Sequence, residues 1–154
     1  NSLSKTYSIP GIRVGWVASN TEVADILRDY RDYTMICAGV FDDMVATLVL
    51  ENKEAILERN RQIVEENLAL MDEWIAKEPK ASWIRPASVS TSFVKLDVNR
   101  PIEDFALELL QDYGVLVVPG NRFDKESHVR IGYCCDKEVL QKGLEKLSQF
   151  LNKC

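Results

Sequence analysis

From Ser82 to the end of the chain, alternating apolar runs and helical stripes follow one another in the order strand, strand, helix, strand, strand, helix. Few folds accommodate that order. Ser82–Arg85 is a short strand candidate, and Ser92–Val98 (SFVKLDV) alternates apolar and polar residues as a half-buried strand does. Pro101 suits the first turn of a helix that carries Phe105, Leu109 and Leu110 on one side, and Gly114 stops it. Val115–Val118 reads as a buried strand closed by Pro119-Gly120, and His128–Tyr133 (HVRIGY) as another. Asp136 then caps a last helix with Val139, Leu140, Leu144, Leu147, Phe150 and Leu151 inward. The order predicts an α/β layer structure, with helices on one side of a small, largely antiparallel sheet.

The first half is built differently. Arg13–Ala18 (RVGWVA) reads as a strand, with Gly15 where another chain segment approaches closely. Ser19-Asn20-Thr21 signals a helix start, and Val23, Ile26, Leu27 and Tyr30 follow at helical spacing. Gly39 punctuates that helix. A second, unusually long helix is expected from about Val40 to Lys77, where Ile56, Ile63 and Leu70, and likewise Leu57, Val64 and Met71, recur every seven residues. Pro79 ends it. One strand and one helix cannot make a sheet alone.

Composition narrows the function classes. With 154 residues, 46% hydrophobic and 28% charged, the chain has the makings of an ordinary globular domain. Its net charge of -5 argues against nucleic acid as the main partner. No apolar run is long enough for a bilayer and no signal-peptide pattern is seen, so a cytoplasmic origin is the expectation. Cys37, Cys134, Cys135 and Cys154 make no CxxC pairs and have one histidine for company, His128. Reduced thiols are expected and a metal site is not.

Chemistry concentrates at the start, in NSLSKTYSIPGIRVGW. A lysine amine attacks carbonyls when burial or nearby positive charge lowers its pKa. Lys5 lies between small hydroxylic residues and ahead of the Pro10-Gly11 turn, which would bring Arg13 back toward it. Ser2, Ser4 and Arg13 would then offer hydroxyl and guanidinium donors to a phosphate. For any one residue, an ordinary surface side chain is the simpler account. The combination is what a pyridoxal phosphate (PLP) enzyme needs.

The pattern Ser-x-Ser-Lys, then Pro-Gly-x-Arg-x-Gly-Trp, resembles the PLP-attachment signature of class I/II aminotransferases of fold type I. The matching positions are Ser2, Ser4, Lys5, Pro10, Gly11, Arg13, Gly15 and Trp16. The resemblance implies that Lys5 forms a Schiff base with PLP and, once displaced by substrate, moves the substrate α-proton. It implies that Ser2 and Arg13 hold the phosphate, with Ser4 close by. A second stretch, Val115–Tyr133 (VLVVPGNRFDKESHVRIGY), resembles the carboxy-terminal segment of the same family. There Arg130 would receive the substrate α-carboxylate as a bidentate pair. Arg122 reads as a solvated loop residue and His128 as structural; Tyr7 and Tyr133 lie near the two motifs.

The resemblance also implies an α/β fold in two parts. Residues 1–70 would be the end of a large cofactor domain with part of a linking helix, and residues 71–154 a small carboxy-terminal domain. Family members are much longer. The glycine-rich phosphate loop, the aromatic residue over the pyridine ring and the Asp for the ring nitrogen have no counterpart here, and the family site is completed in a homodimer. The expectation is therefore the carboxy-terminal portion of an aminotransferase acting on an amino acid and a 2-oxo acid, inactive by itself. Alternatives are another fold type I reaction, such as that of aminocyclopropane-carboxylate synthases or carbon–sulfur lyases, and a non-catalytic aminotransferase-like regulatory module. Product analysis separates the first group; a DNA-binding segment upstream would mark the second.

Overall fold

The computed structural model describes residues 1–154. Its elements are α1 (Thr21–Thr34), α2 (Val40–Glu51), α3 (Lys53–Lys77), β1 (Ala81–Trp83), β2 (Thr91–Leu96), α4 (Ile102–Tyr113), β3 (Val118–Pro119), β4 (His128–Gly132) and α5 (Lys137–Leu151). A short 3-10 turn, Gly120–Phe123, joins β3 to β4. The chain divides within α3 into two compact units, Asn1–Arg61 and Gln62–Cys154. No helix is long and apolar enough to cross a membrane.

In the second unit the strands form one antiparallel sheet in the order β1-β2-β4-β3. The register sets Val94 opposite Val129 and Phe93 opposite Arg130. Because alternate residues face opposite ways, Val94, Leu96, Val129 and Ile131 meet the helices and are buried. Against them pack Leu68 and Met71 of α3, Ile102, Phe105 and Leu109 of α4, and Leu140, Leu144, Leu147, Phe150 and Leu151 of α5. Each large side chain fully buried there contributes about 1.5–3 kcal/mol, and Phe105→Ala would cost about 3–5 kcal/mol. The other face carries Phe93, Lys95, His128 and Arg130.

Local rules explain the helix ends. Gly114 takes φ 67, a left-handed conformation that glycine adopts without a side-chain clash, and its N–H closes α4 on Leu110 O at 3.0 Å. Asp136 caps α5, accepting from the Glu138 N–H at 2.9 Å. Buried Asn67 of α3 donates to the carbonyls of Tyr133 at 2.7 Å and Cys135 at 2.9 Å, so the segment after β4 is held without a strand partner. Buried Glu78 accepts from Ser148 Oγ at 2.6 Å, which in turn accepts from the Trp74 indole at 2.8 Å.

In the first unit, Leu3, Ala46 and Val49 form a small core with Tyr7, Ile9, Ile12, Val14 and Ile56 around it. Asn20 caps α1 as its spacing predicts, its side chain accepting from the Val23 N–H at 3.0 Å. The α1 stripe is not buried: Val23, Ile26, Leu27 and Tyr30 are all exposed.

Several expected elements differ. The single helix expected from Val40 to Lys77 is two, because Asn52 leaves helical geometry and turns its own side-chain amide onto Leu48 O at 2.8 Å. The expected strand Arg13–Ala18 is one bridge, Ser2 to Gly15, since only Asn1–Leu3 lies alongside it. The expected strand Val115–Val118 pairs only from Val118. The Val115 N–H is still committed to Leu109 O at the end of α4, and Leu116 is exposed. Leu110 and Val139, expected inward, are exposed. All four cysteines are exposed and free.

Candidate active site

Lys5 sits on a loop that is tied at several points. Leu3, fully buried, anchors it in the core. The Leu3 N–H donates to Val14 O at 3.1 Å and the Trp16 N–H to Asn1 O at 2.8 Å, flanking the Ser2–Gly15 bridge. Glycine is required at the bridge: a Cβ on Gly15 would meet Asn1 O at 2.7 Å and Ser2 Cβ at 3.0 Å. The Ser8 N–H closes a tight turn on Lys5 O at 3.0 Å, with Ser8 at φ 57. Lys5 itself is exposed.

Arg13 also holds a left-handed backbone, φ 46, at a cost of about 1 kcal/mol. That conformation accompanies a return of its guanidinium to the loop, where Nη1 donates to Pro10 O at 2.6 Å and to Ser4 Oγ at 3.4 Å. The Ser4 N–H in turn faces Ser2 Oγ at 3.4 Å. Ser2, Ser4 and Arg13 therefore gather on the same loop as Lys5. Two hydroxyls and a guanidinium on the loop that carries a primary amine are a donor set suited to a phosphate and a carbonyl, so the residue types present fit PLP.

Arg130 lies in the second unit. It projects from β4, exposed, between Phe93 of β2 and Val118 of β3 in the register. Its Cζ lies 5.1 Å from the Phe123 ring centroid. Phe123 meets Phe93 edge-on at 5.8 Å, and Phe93 stacks on His128 at 5.0 Å. No carboxylate of the chain pairs with Arg130, whereas neighbouring Arg122 is ion-paired with Glu103. The turn that brings Phe123 over Arg130 depends on Gly120, where a Cβ would meet Lys125 O at 2.2 Å and His128 O at 2.5 Å.

The remaining candidates have structural surroundings. Tyr133 is fully buried and its hydroxyl donates to Val89 O; burial pushes its pKa up. Tyr7 packs against the Leu3 core. His128 is half-buried, and burial, then Lys125 and Lys95, push its pKa below the ordinary value. A cavity of about 310 Å³ between Val115–Val117, Ile131 and α5 is lined mainly by apolar groups and by none of the candidate residues. Sequence reasoning passed over Phe93, Asn60 and Asn67. The alternation in SFVKLDV marks Phe93 as facing away from the core; the asparagines carry no local signal.

Residues 1–147 match the profile of the family Aminotransferase class I and II. Capreomycidine synthase of Streptomyces vinaceus is 30% identical over 97% of this chain and 39% of its own length. A probable N-acetyl-LL-diaminopimelate aminotransferase of Bacillus subtilis is 28% identical over 99% of this chain and 39% of its own. Among solved structures, a PLP-dependent aminotransferase from Streptococcus suis 89-1591 superposes with a TM-score of 0.97 at 68% identity, covering 99% of this chain and 41% of that one. The PLP-dependent cyclase OrfR superposes at 0.91 with 28% identity, over 98% of this chain and 42% of that one. The chain thus spans about two fifths of the length of the proteins it matches. Its fold is a portion of the fold type I architecture, and the chain belongs to the class I and II aminotransferase family.

Proposed function

We propose that the protein to which this chain belongs transfers an amino group between an amino acid and a 2-oxo acid, with PLP held at Lys5. The observation that carries this reading is the return of Arg13 onto Ser4, 3.4 Å away, on the loop that bears Lys5. When bound, PLP supplies the electron sink for the substrate's α-carbon. Ser2, Ser4 and Arg13 would bind and orient its phosphate, and Lys5 would be the residue that holds its aldehyde group. Once substrate has taken that place, Lys5 Nζ is the base that accepts the α-proton. Arg130 receives the substrate α-carboxylate, with Phe123 behind the guanidinium.

On this reading residues 1–70 end a larger cofactor domain and residues 71–154 form a smaller one. We further infer a cytoplasmic homodimer that binds neither nucleic acid nor membrane; the acidic balance of -5 supports the first exclusion. The 154 residues alone would not catalyse the reaction. The test is borohydride reduction of the full-length protein followed by peptide mass spectrometry. A fixed adduct on the Lys5 peptide is expected, and an adduct on another lysine overturns the reading.

The likeness to capreomycidine synthase and to a PLP-dependent cyclase favours a second reading, another reaction on an α-amino acid by the same residues. Products assayed with and without a 2-oxo acid acceptor decide between them: transfer requires the acceptor and the alternative does not.

A further inference from the structure

The side chain of Asn60, on α3, donates from Nδ2 to the carbonyl oxygen of Thr6 at 3.0 Å, across 54 residues of sequence. Thr6 follows Lys5 directly. The Lys5 carbonyl is already used inside the loop, accepting from the Ser8 N–H at 3.0 Å. The Thr6 carbonyl is held from outside it, by a rigid helix. A lysine side chain has a long flexible stem that packing on an exposed loop does not fix. Its direction of departure is then set by the backbone on either side of its Cα.

We propose that Asn60 is a positioning residue for Lys5. By holding the Thr6 carbonyl, it fixes the loop backbone so that the Lys5 amine leaves in the direction of the Ser4–Arg13 donors. The proposal rests on the reading of Lys5 as the cofactor lysine. Asn60 touches neither cofactor nor substrate; its effect reaches the amine through one peptide unit. The half-buried amide is suited to this, because it gives a directional donor without adding a charge beside the lysine.

The test uses the full-length apoprotein and PLP itself. Asn60→Asp keeps the size, removes the donor and adds a charge; Asn60→Leu removes the donor without a charge and is expected to behave alike; Asn60→Gln keeps a donor; Lys5→Ala serves as control. Uptake of PLP is followed by visible absorbance, and the adduct by borohydride fixation and peptide mass. Asn60→Asp is expected to weaken fixation at Lys5 roughly tenfold, the loss of one hydrogen bond, with the melting temperature changed little and with Asn60→Gln recovering most of the loss. Wild-type fixation in Asn60→Asp overturns the proposal, as does loss of fixation that merely parallels a fall in melting temperature. If Lys5→Ala still gives the fixed adduct, the reading of Lys5 fails instead, and the two failures are distinguished.

Discussion

The guanidinium carbon of Arg130 lies 5.1 Å from the centre of the Phe123 ring. The ring lies against the cation, and Arg130 is exposed with no carboxylate of the chain paired to it. In the full-length protein, Arg130→Lys is predicted to raise KM for the amino acid about ten- to a hundredfold, because an ammonium cannot reproduce the bidentate match. Phe123→Leu removes a contact worth about 0.5–1 kcal/mol and should raise KM only a few-fold. Steady-state kinetics check both; an unchanged KM in Arg130→Lys refutes the carboxylate role.

Arg13→Ala removes the only guanidinium on the Lys5 loop. A hydrogen bond to a charged group contributes about 1.5–3 kcal/mol, so PLP retention should fall by roughly ten- to a hundredfold. Dialysis of the full-length protein followed by absorbance measures it. At saturating PLP, KM for substrate should stay near wild type; retention equal to wild type excludes Arg13 from the phosphate site.

Asn67→Leu leaves the carbonyls of Tyr133 and Cys135 without their buried donor. The expected cost is about 2–4 kcal/mol of stability, read as a shift of the denaturant midpoint. Asn67→Asp should be at least as damaging, since it faces the same carbonyls with a negative charge. A midpoint within experimental error of wild type would remove Asn67 from the account of the fold.

His128 introduces a pH dependence. Its Nδ1 is buried without a hydrogen-bond partner, and burial together with Lys125 and Lys95 depresses its pKa below the ordinary 6.5. The unfolded chain then takes up the proton more readily than the folded one. The stability associated with the neutral ring is complete above about pH 6.5 and is lost as pH falls through the folded value. Melting curves of wild type should therefore decline more steeply below pH 6.5 than those of His128→Gln. Parallel profiles would show that His128 is not the group responsible.

Val23, Ile26, Leu27 and Tyr30 make α1 a helix whose apolar stripe faces outward in this chain. Surface of that kind seeks cover. The 154-residue polypeptide is predicted to bind a hydrophobic dye and to associate with rising concentration, and Ile26→Glu with Leu27→Glu should reduce both. Dye fluorescence and sedimentation test this; a monomer with no dye binding contradicts it.

Much of the second unit was legible in the sequence because its signals are local. Gly114, Asp136 and the alternation in Ser92–Val98 each act over a few residues, and each does what its chemistry dictates. The register that stands Phe93 opposite Arg130 needs two strands and was out of reach. Asn52 ended a helix that was expected to run on from Val40, because a single side chain competed for one carbonyl, and the seven-residue spacing begins only at Ile56, beyond that break. The α1 stripe misled for a different reason: periodicity reports that a face is apolar, not that anything within the same chain covers it. Around the candidate site, Lys5, Arg13 and the serines stood out as a motif. Asn60 and Asn67 did not, because a clamp that spans more than fifty residues leaves no trace in its own neighbourhood.

The Ser2–Gly15 bridge also constrains what evolution or engineering can change here. Of the side chains between Lys5 and Arg13, exposed Thr6 can vary while the bridge persists, whereas Tyr7, Ile9 and Ile12 pack on the Leu3 core. Inserting or deleting a single residue between the two cannot be absorbed in the same way. With the bridge kept, the change falls on the loop, and it moves the Ser4 hydroxyl and the Pro10 carbonyl away from the Arg13 guanidinium that the present length brings to them. Related sequences should therefore differ at Thr6 and agree in the length of this segment.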